Sequence, residues 1–208
     1  MERILVAGAN GTTGKQVVEI LNNTEGYAPV AMVRKESQME QFKSKNIDTV
    51  LGDLENDLSH AVQNIDKVIF AAGSGGKKVV AVDQEGAKNL IREAEKANVK
   101  KFVMLSSMGA DAPEKAEKLQ DYLKAKHNAD EFLKQSKVPY AIVRPGTLNN
   151  ESAKGTIKIG DSLEKKGEIT RADVANTLVS SLRESTTTNK TYEILQGDLK
   201  IDEALKQI

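Results

Sequence analysis

Tyr122 and Lys126 are the residues of this chain best suited to proton transfer, because they lie four positions apart. On a helix, side chains at this spacing share a face, with Cβ atoms about 5–6 Å apart. A neighbouring ammonium group favours the ionised form of a phenol, so the phenol can donate or accept a proton near neutral pH. In a lysine-rich chain the same spacing also arises by chance, so the pair needs support from its surroundings.

Two adjacent serines provide that support. Ser106 and Ser107 follow Lys101–Leu105, a predicted strand, and a serine at the end of such a strand can donate a hydrogen bond to a substrate oxygen. Because neighbouring side chains on extended backbone point in opposite directions, only one of them can face the substrate. We predict that it is Ser107. The alternative is that both serines cap or turn the end of the strand.

The first residues of the chain predict a cofactor site. The apolar segment Arg3–Ala7 leads into a glycine-rich turn, and apolar residues then recur at helical spacing. A strand, a glycine turn and a helix in this order present unpaired backbone N–H groups to a pyrophosphate, although a purely structural turn is the alternative. An ATPase-type phosphate loop is excluded, because Ala9 and Gln16 stand where it needs a glycine and a hydroxyl. The predicted contacts are Gly8, Asn10, Gly11, Thr12, Thr13 and Gly14.

Later strand ends predict the rest of that site. Arg34 follows the second predicted strand, where a guanidinium suits a 2′-phosphate, so NADP(H) is favoured over NAD(H); a solvated charge is the alternative. Asp53, followed by Leu54, either accepts a hydrogen bond from the adenine amino group or caps the next helix. Ala71, Ala72 and Gly73 are small enough for a cofactor to approach the backbone.

Strand-like and helix-like segments alternate as far as Arg144, which predicts a single doubly wound α/β domain with a parallel sheet over residues 1–208. Residues 145–167 break the alternation, and we expect about 145–168, with the C-terminal segment, to form a small cap over the substrate. Thr170 and Asp173 are predicted to begin a helix at 171–183 rather than to bind a ligand. The predicted strands are 3–7, 28–33, 49–51, 67–71, 101–105, 140–143 and 192–195, and the other helical patterns are 14–22, 38–45, 79–97, 118–136 and a short one near 202.

The composition excludes several classes of function. The 30 basic and 30 acidic residues balance, so neither a nucleic acid nor a membrane surface is an expected partner. The absence of cysteine excludes disulfides, thiol nucleophiles and iron–sulfur clusters, and His60 and His127 have no metal-ligand spacing. With no signal peptide and no apolar span of about 20 residues, we expect a cytoplasmic protein, monomeric or a small homo-oligomer, with a small-molecule substrate.

Together these motifs resemble the short-chain dehydrogenase/reductase superfamily, in its atypical single-domain NAD(P)H-binding branch, which includes proteins similar to biliverdin reductase B/flavin reductase and NmrA-like proteins. The resemblance covers essentially the whole chain and implies a Rossmann fold. It implies catalytic roles for Ser107 and Tyr122, ribose binding by Lys126, and nicotinamide contacts from the backbone around Pro145. The segments that carry it are Ile4–Gly14 with its Gly-x-x-Gly-x-x-Gly spacing, Ala31–Lys35, Phe70–Gly73, Met104–Ser107, Tyr122–Lys126 and Ile142–Gly146.

One position departs from the pattern of that superfamily. Its fourth catalytic residue is an asparagine on the helix after the fourth strand, and here Asp83 stands in that place. An aspartate can still order a water molecule and the lysine, but it adds a negative charge beside Lys126. The alternative is a polar residue on a half-exposed helix without a catalytic role.

The sequence thus predicts an NADP(H)-dependent oxidoreductase that transfers hydride to or from a small carbonyl, alcohol or conjugated acceptor. A nucleotide-sugar-type epimerase that uses its bound cofactor transiently is a second possibility. A non-catalytic NmrA-like NADP(H) sensor that regulates a partner is a third.

Overall fold

The structure is a computed structural model that describes residues 1–163, 167–183 and 185–208. Its strands are β1 (Glu2–Ala7), β2 (Tyr27–Val33), β3 (Asp48–Leu51), β4 (Lys67–Phe70), β5 (Lys101–Leu105), β6 (Tyr140–Pro145), β7 (Thr147–Asn149), β8 (Thr156–Gly160), β9 (Glu168–Thr170), β10 (Lys190–Gln196) and β11 (Leu199–Lys200). Its helices are α1 (Thr12–Asn22), α2 (Glu40–Lys43), α3 (Ala87–Lys96), α4 (Gln120–Gln135), α5 (Arg171–Arg183) and α6 (Ile201–Ala204). A 3-10 turn at Glu36–Gln38 precedes α2, and a π-helical segment at Val79–Gly86 precedes α3.

A nine-stranded sheet in the order β11-β8-β10-β6-β5-β4-β1-β2-β3 forms the centre of the fold. The strands from β10 to β3 are parallel to their neighbours, whereas β8 and β11 extend the sheet in antiparallel pairing. The chain order reverses between β1 and β4, and folds of this kind bind ligands beyond the carboxyl ends of the strands at that point. The predicted doubly wound α/β fold, the Rossmann fold, is confirmed.

Each face of the sheet buries its own apolar cluster. Val17, Val18 and Leu21 of α1 pack on one face together with α5, and Leu90 and Ile91 of α3 pack on the other face together with α4. Burial on both faces explains why the central strands are continuously apolar. Among the described residues, none of the helices combines the length and apolarity that a membrane crossing requires.

The sequence-based boundaries of the seven parallel strands are confirmed to within two residues, but three other segments differ. The predicted helix over 38–45 is reduced to a 3-10 turn and the single turn α2, and the helix over 79–97 begins as a π-helical segment. Residues 145–167, predicted without strands, contain β7 and β8. β8 was missed because only Ile157 of its five residues is fully buried, which leaves a weak alternation.

Part of the predicted cap therefore belongs to the main sheet, because β8 pairs with β10. Residues 164–166 of that cap lie outside the described residues. Covering of the substrate by the remaining residues stays a prediction.

Thr170 and Asp173 form the start of α5, as the sequence predicts. The Thr170 hydroxyl accepts a hydrogen bond from the Asp173 N–H and donates one to the Asp173 carboxylate, both at 2.9 Å. The same carboxylate, which is fully buried, accepts hydrogen bonds from the backbone N–H groups of Lys154 and Gly155. The Thr170 hydroxyl thus caps the start of α5, and the Asp173 carboxylate fixes the loop that leads into β8.

We expect Asp173→Ala to lower the free energy of unfolding by about 2–3 kcal/mol, because it leaves the buried Thr170 hydroxyl and the backbone N–H groups of Lys154 and Gly155 without their acceptor. Asp48→Ala is a matched control. Asp48 pairs with Arg3 at 2.8 Å, but its side chain is 62% exposed, so its loss should cost about 1 kcal/mol or less. Urea unfolding of both variants measures the difference, and equal losses would contradict the role of Asp173.

Candidate cofactor and active site

The glycine-rich turn between β1 and α1 has no room for side chains at two positions. Gly8 has a φ of +84°, and a Cβ there would lie 2.6 Å from the backbone of Ala72, which follows β4. A Cβ at Gly14 would lie 2.1 Å from the Gly8 carbonyl oxygen. The first glycine therefore lets the loop approach the neighbouring strand end, and the last lets α1 approach the loop.

The beginning of α1 presents unpaired N–H groups to the same edge of the sheet. Gly11 precedes the helix with extended backbone and provides no side-chain cap. Thr12 is exposed in the first turn, whereas Thr13 is only 7% exposed and packs inward. An uncapped helix end of this kind can bind an anion, and phosphate binding there stays a prediction.

Asn10 and Arg34 are joined through two glutamines. The Gln41 side chain of α2 donates a hydrogen bond to Asn10 Oδ1 at 2.7 Å. Gln38 Oε1 accepts the backbone N–H groups of Arg34 and Lys35 at 3.1 and 3.2 Å. These bonds shape the turn after β2 and leave the Arg34 side chain exposed, without an ion pair to any residue that the structure describes.

The other predicted cofactor residues lie at neighbouring strand ends. Asp53 Oδ1 accepts the N–H of Glu55 at 3.1 Å, which stabilises a turn. No helix lies between β3 and β4 in the part of the chain that the structure describes, so the alternative that Asp53 caps one is wrong, and an adenine contact stays a prediction. Leu54 is 6% exposed and packs in the core. Ala71 and Ala72 are half-buried and Gly73 is exposed directly after β4. Pro145 is buried at the end of β6, where its carbonyl accepts the N–H of Met108 at 3.0 Å.

Tyr122 and Lys126 lie together on the first turns of α4. The Lys126 ammonium is 5.7 Å from the centre of the Tyr122 ring. Its side chain is 3% exposed, donates a hydrogen bond to the Leu105 carbonyl at 3.1 Å, and lies 3.9 Å from Asp83 Oδ1. The lysine is thus held between a carbonyl at the end of β5 and a carboxylate of the π-helical segment.

Asp83 is 1% exposed and lies on the buried side of a segment whose other side is exposed, so its side chain does not face solvent as a surface polar residue would; its catalytic role stays a prediction. Its Oδ2 accepts hydrogen bonds from the backbone N–H and the hydroxyl of Ser74, at 3.1 and 2.6 Å. Its Oδ1 has no hydrogen-bond partner among the described residues and faces Lys126. The negative charge is therefore directed at the lysine, as expected from its replacement of asparagine.

The two serines after β5 point in opposite directions. Ser106 is 3% exposed and donates a hydrogen bond to Asp130 Oδ2 at 2.8 Å. Ser107 is half-buried, and its hydroxyl donates to the carbonyl of Met108 at 3.2 Å. Ser107 is thus the serine whose hydroxyl can exchange a local bond for one to a substrate, although that role stays a prediction.

Sequence reasoning gave no role to the fully buried Asp130 or to Arg144. Arg144 donates two hydrogen bonds to Asp130 Oδ2, from Nε at 3.0 Å and Nη2 at 2.9 Å. Burial raises the pKa of the Asp130 carboxyl, and the Arg144 guanidinium opposes that shift. The sequence signal that could have found this pair is an arginine inside a predicted buried strand, because a buried charge requires a partner of opposite charge.

Glu193 of β10 was also missed, and it connects the sheet to the residues after β8. Its Oε2 accepts the backbone N–H of Leu163 at 2.6 Å, and its Cα is paired with that of Arg144 in the sheet. Burial raises the pKa of the Glu193 carboxyl, and the neighbouring charge of Asp111 adds to that shift. Within the described residues, no group of three or more His, Cys, Asp and Glu side chains is placed to hold a metal ion.

Comparison with known proteins finds relatives over the whole length of the chain. Uncharacterized sugar epimerase YhfK of Bacillus subtilis is 38% identical over 214 residues, which cover 99% of this chain and 100% of that protein. A putative NAD-dependent epimerase/dehydratase from Bacillus halodurans is 40% identical with a TM-score of 0.95, and each chain is covered completely. The oxidoreductase ylbE from Lactococcus lactis is 34% identical with a TM-score of 0.91, covering 99% of this chain and 96% of that one.

A family model also matches most of the chain. The model of the NAD(P)H-binding family matches residues 8–185, which run from the first glycine of the loop to two residues after α5. The predicted resemblance to atypical NAD(P)H-binding short-chain dehydrogenase/reductase proteins is confirmed as membership of an NAD(P)H-binding family. This chain belongs to the NAD(P)H-binding family.

Proposed function

We propose that the protein is an NADP(H)-dependent oxidoreductase that transfers hydride between the nicotinamide and a small carbonyl, alcohol or conjugated acceptor. The observation that carries this proposal is a juxtaposition at one edge of the sheet. The uncapped end of α1 follows β1, the Ser107 hydroxyl follows β5, and only β4 lies between these strands. Tyr122 and Lys126 on α4 face the same edge, because Lys126 is bonded to the last carbonyl of β5.

When bound, the cofactor supplies hydride to the acceptor carbon or takes it back. In the direction of reduction, the Tyr122 phenol donates its proton to the acceptor oxygen and Ser107 donates a hydrogen bond to that oxygen. Lys126, 5.7 Å from the Tyr122 ring, stabilises the phenolate that remains, which solvent then reprotonates. Asp83 orients the lysine, since its Oδ1, which has no hydrogen-bond partner among the described residues, lies 3.9 Å from the ammonium.

A second candidate is an epimerase that oxidises and reduces one sugar carbon with a bound cofactor. The names of the relatives from Bacillus subtilis and Bacillus halodurans favour it, and the name of the Lactococcus lactis relative favours the oxidoreductase. A cofactor sensor of the NmrA-like type would bind NADP(H) without turnover, and the pairing of Tyr122 with Lys126 is the argument against it.

Two incubations separate the three functions: one with NADPH and a panel of quinones, flavins and aldehydes, and one with oxidised cofactor and nucleotide sugars. The oxidoreductase consumes NADPH in proportion to the acceptor that is reduced. The epimerase consumes none, but it changes the configuration of nucleotide sugars when loaded with oxidised cofactor. Binding of NADPH with neither reaction would overturn the proposal in favour of the sensor.

We expect the protein to bind NADPH more tightly than NADH, because the Arg34 guanidinium is exposed just after β2 and forms no ion pair with any residue that the structure describes. Loss of a charge-assisted hydrogen bond costs about 1.5–3 kcal/mol, so Arg34→Asp should weaken NADPH binding by about 10- to 150-fold and leave NADH binding nearly unchanged. Titration calorimetry with both cofactors measures this.

Lys190→Asp is the matched control for that variant. It changes the net charge by the same amount at an exposed position on β10, across the sheet from β2. The preference for NADPH should persist in this control. Identical titration curves for the two cofactors on the unaltered protein would contradict the predicted preference.

Gly11→Val should abolish dinucleotide binding while the protein stays folded. The backbone φ at Gly11 is −74°, which valine tolerates, and an added Cβ would lie 3.2 Å from the Gly8 carbonyl oxygen. The branched side chain would then occupy the approach of the phosphates to α1. Calorimetry with NADPH, together with a thermal melt that shows the fold intact, tests the placement; undiminished affinity in a folded variant would mean that the phosphates bind elsewhere.

Tyr122→Phe should lower the turnover number by about 10²- to 10⁴-fold, the usual contribution of a positioned acid or base, with cofactor affinity nearly unchanged. Tyr140→Phe removes a hydroxyl from another half-buried tyrosine, on β6, and should leave turnover intact. Lys126→Met should reduce both turnover and cofactor affinity. Full activity in Tyr122→Phe would show that the proton comes from solvent or substrate.

A further inference from the structure

One buried carboxylate joins three elements that border the candidate site. Asp130 lies on α4, one helical turn after Lys126, and is fully buried. Its Oδ2 accepts the Ser106 hydroxyl at the end of β5 and two N–H groups of Arg144 near the end of β6. The ends of these two strands are thus attached to the helix that carries Tyr122.

Each residue that Asp130 holds directly precedes a predicted site residue. Ser106 precedes Ser107, and Arg144 precedes Pro145. The backbone continues the connection, because the Ser106 N–H donates to the Val143 carbonyl at 2.8 Å and the Met108 N–H donates to the Pro145 carbonyl at 3.0 Å. The position of the Ser107 hydroxyl relative to the Tyr122 phenol therefore depends on contacts made on the opposite side of the same backbone.

We propose that Asp130, acting through Ser106 and Arg144, is the positioning residue that holds the ends of β5 and β6 in register with α4, so that Ser107, the Pro145 backbone and Tyr122 meet at the nicotinamide. This inference rests on the proposed function for its catalytic consequence. Its structural content, the fixing of two strand ends by one carboxylate, is independent of it.

The buried ion pair between Asp130 and Arg144 strengthens the attachment of α4 to the two strand ends. The Asp130 and Arg144 side chains are 0% and 6% exposed, so neither can exchange its partner for water without a large desolvation penalty. Burial raises the pKa of the Asp130 carboxyl, while Arg144 and Ser106 stabilise its charged form. Asp130 Oδ1 has no hydrogen-bond partner among the described residues, so all of the holding contacts converge on one oxygen.

Ser106→Ala is the sharpest test, because it removes one strand end from the carboxylate and keeps the Asp130–Arg144 ion pair. Ser181→Ala is the control: Ser181 is fully buried on α5, away from the carboxyl ends of β5 and β6, and its hydroxyl is hydrogen bonded to the Thr177 carbonyl at 2.6 Å and to the Tyr192 hydroxyl at 2.5 Å. Ser106→Thr keeps the hydroxyl at the same position and should recover the behaviour of the unaltered protein.

Two measurements are made on each variant. Amide hydrogen exchange reports the Met108 N–H, which should exchange at least about tenfold faster in Ser106→Ala than in Ser181→Ala. Steady-state kinetics should show kcat lower by about 10- to 100-fold, since a small misplacement of reacting groups has effects of this size, with the KM for NADPH within about twofold of the unaltered protein.

Unchanged exchange at Met108 in Ser106→Ala would overturn the inference. Faster exchange with an unaltered kcat would also overturn it, because the attachment would then have no consequence for the reaction. If the unaltered protein reduces no acceptor, the proposed function fails, and the exchange measurement still decides whether Asp130 fixes the two strand ends.

Discussion

The rest of the structure depends on the close approach of the glycine loop to the end of β4. A Cβ at Gly8 would lie 2.6 Å from the backbone of Ala72. The loop after β1 can therefore lie against the residues after β4 only because position 8 has no side chain. β1 and β4 flank the point where the strand order reverses, and the crevice of a doubly wound sheet opens there. One steric constraint thus places the uncapped end of α1 beside the strand ends that carry the reactive side chains.

Two buried ion pairs line the same edge of the sheet on either side of β5. Lys126 faces Asp83 at 3.9 Å, and Arg144 binds Asp130 at 2.9 Å. Such pairs contribute little net stability, because desolvation offsets their attraction, but removal of one partner costs about 3–5 kcal/mol. They therefore fix geometry more than they stabilise the fold. The first orients the lysine beside Tyr122, and the second fixes the strand ends next to Ser107 and Pro145.

The replacement of asparagine by Asp83 fits this arrangement of charges. The carboxylate is held through one oxygen by Ser74, and its other oxygen, which has no hydrogen-bond partner among the described residues, faces the Lys126 ammonium. Ser74 belongs to the segment after β4, which begins with Gly73 beside the candidate cofactor site. The same carboxylate thus links the lysine of α4 to the backbone that borders the cofactor.

Local patterns in the sequence were sufficient for the parallel strands, the start of α5 at Thr170 and Asp173, and the pairing of Tyr122 with Lys126. Each depends on residues close together in the chain, such as a strand followed by glycine or two side chains four positions apart on a helix. Only the tertiary structure decided that β8 joins the main sheet, that Ser106 is buried against Asp130 while Ser107 is half-buried, and that Asp83 is buried. It alone paired Asp130 with Arg144, 14 residues away, because the partner of a buried charge is set by the packing of elements distant in sequence.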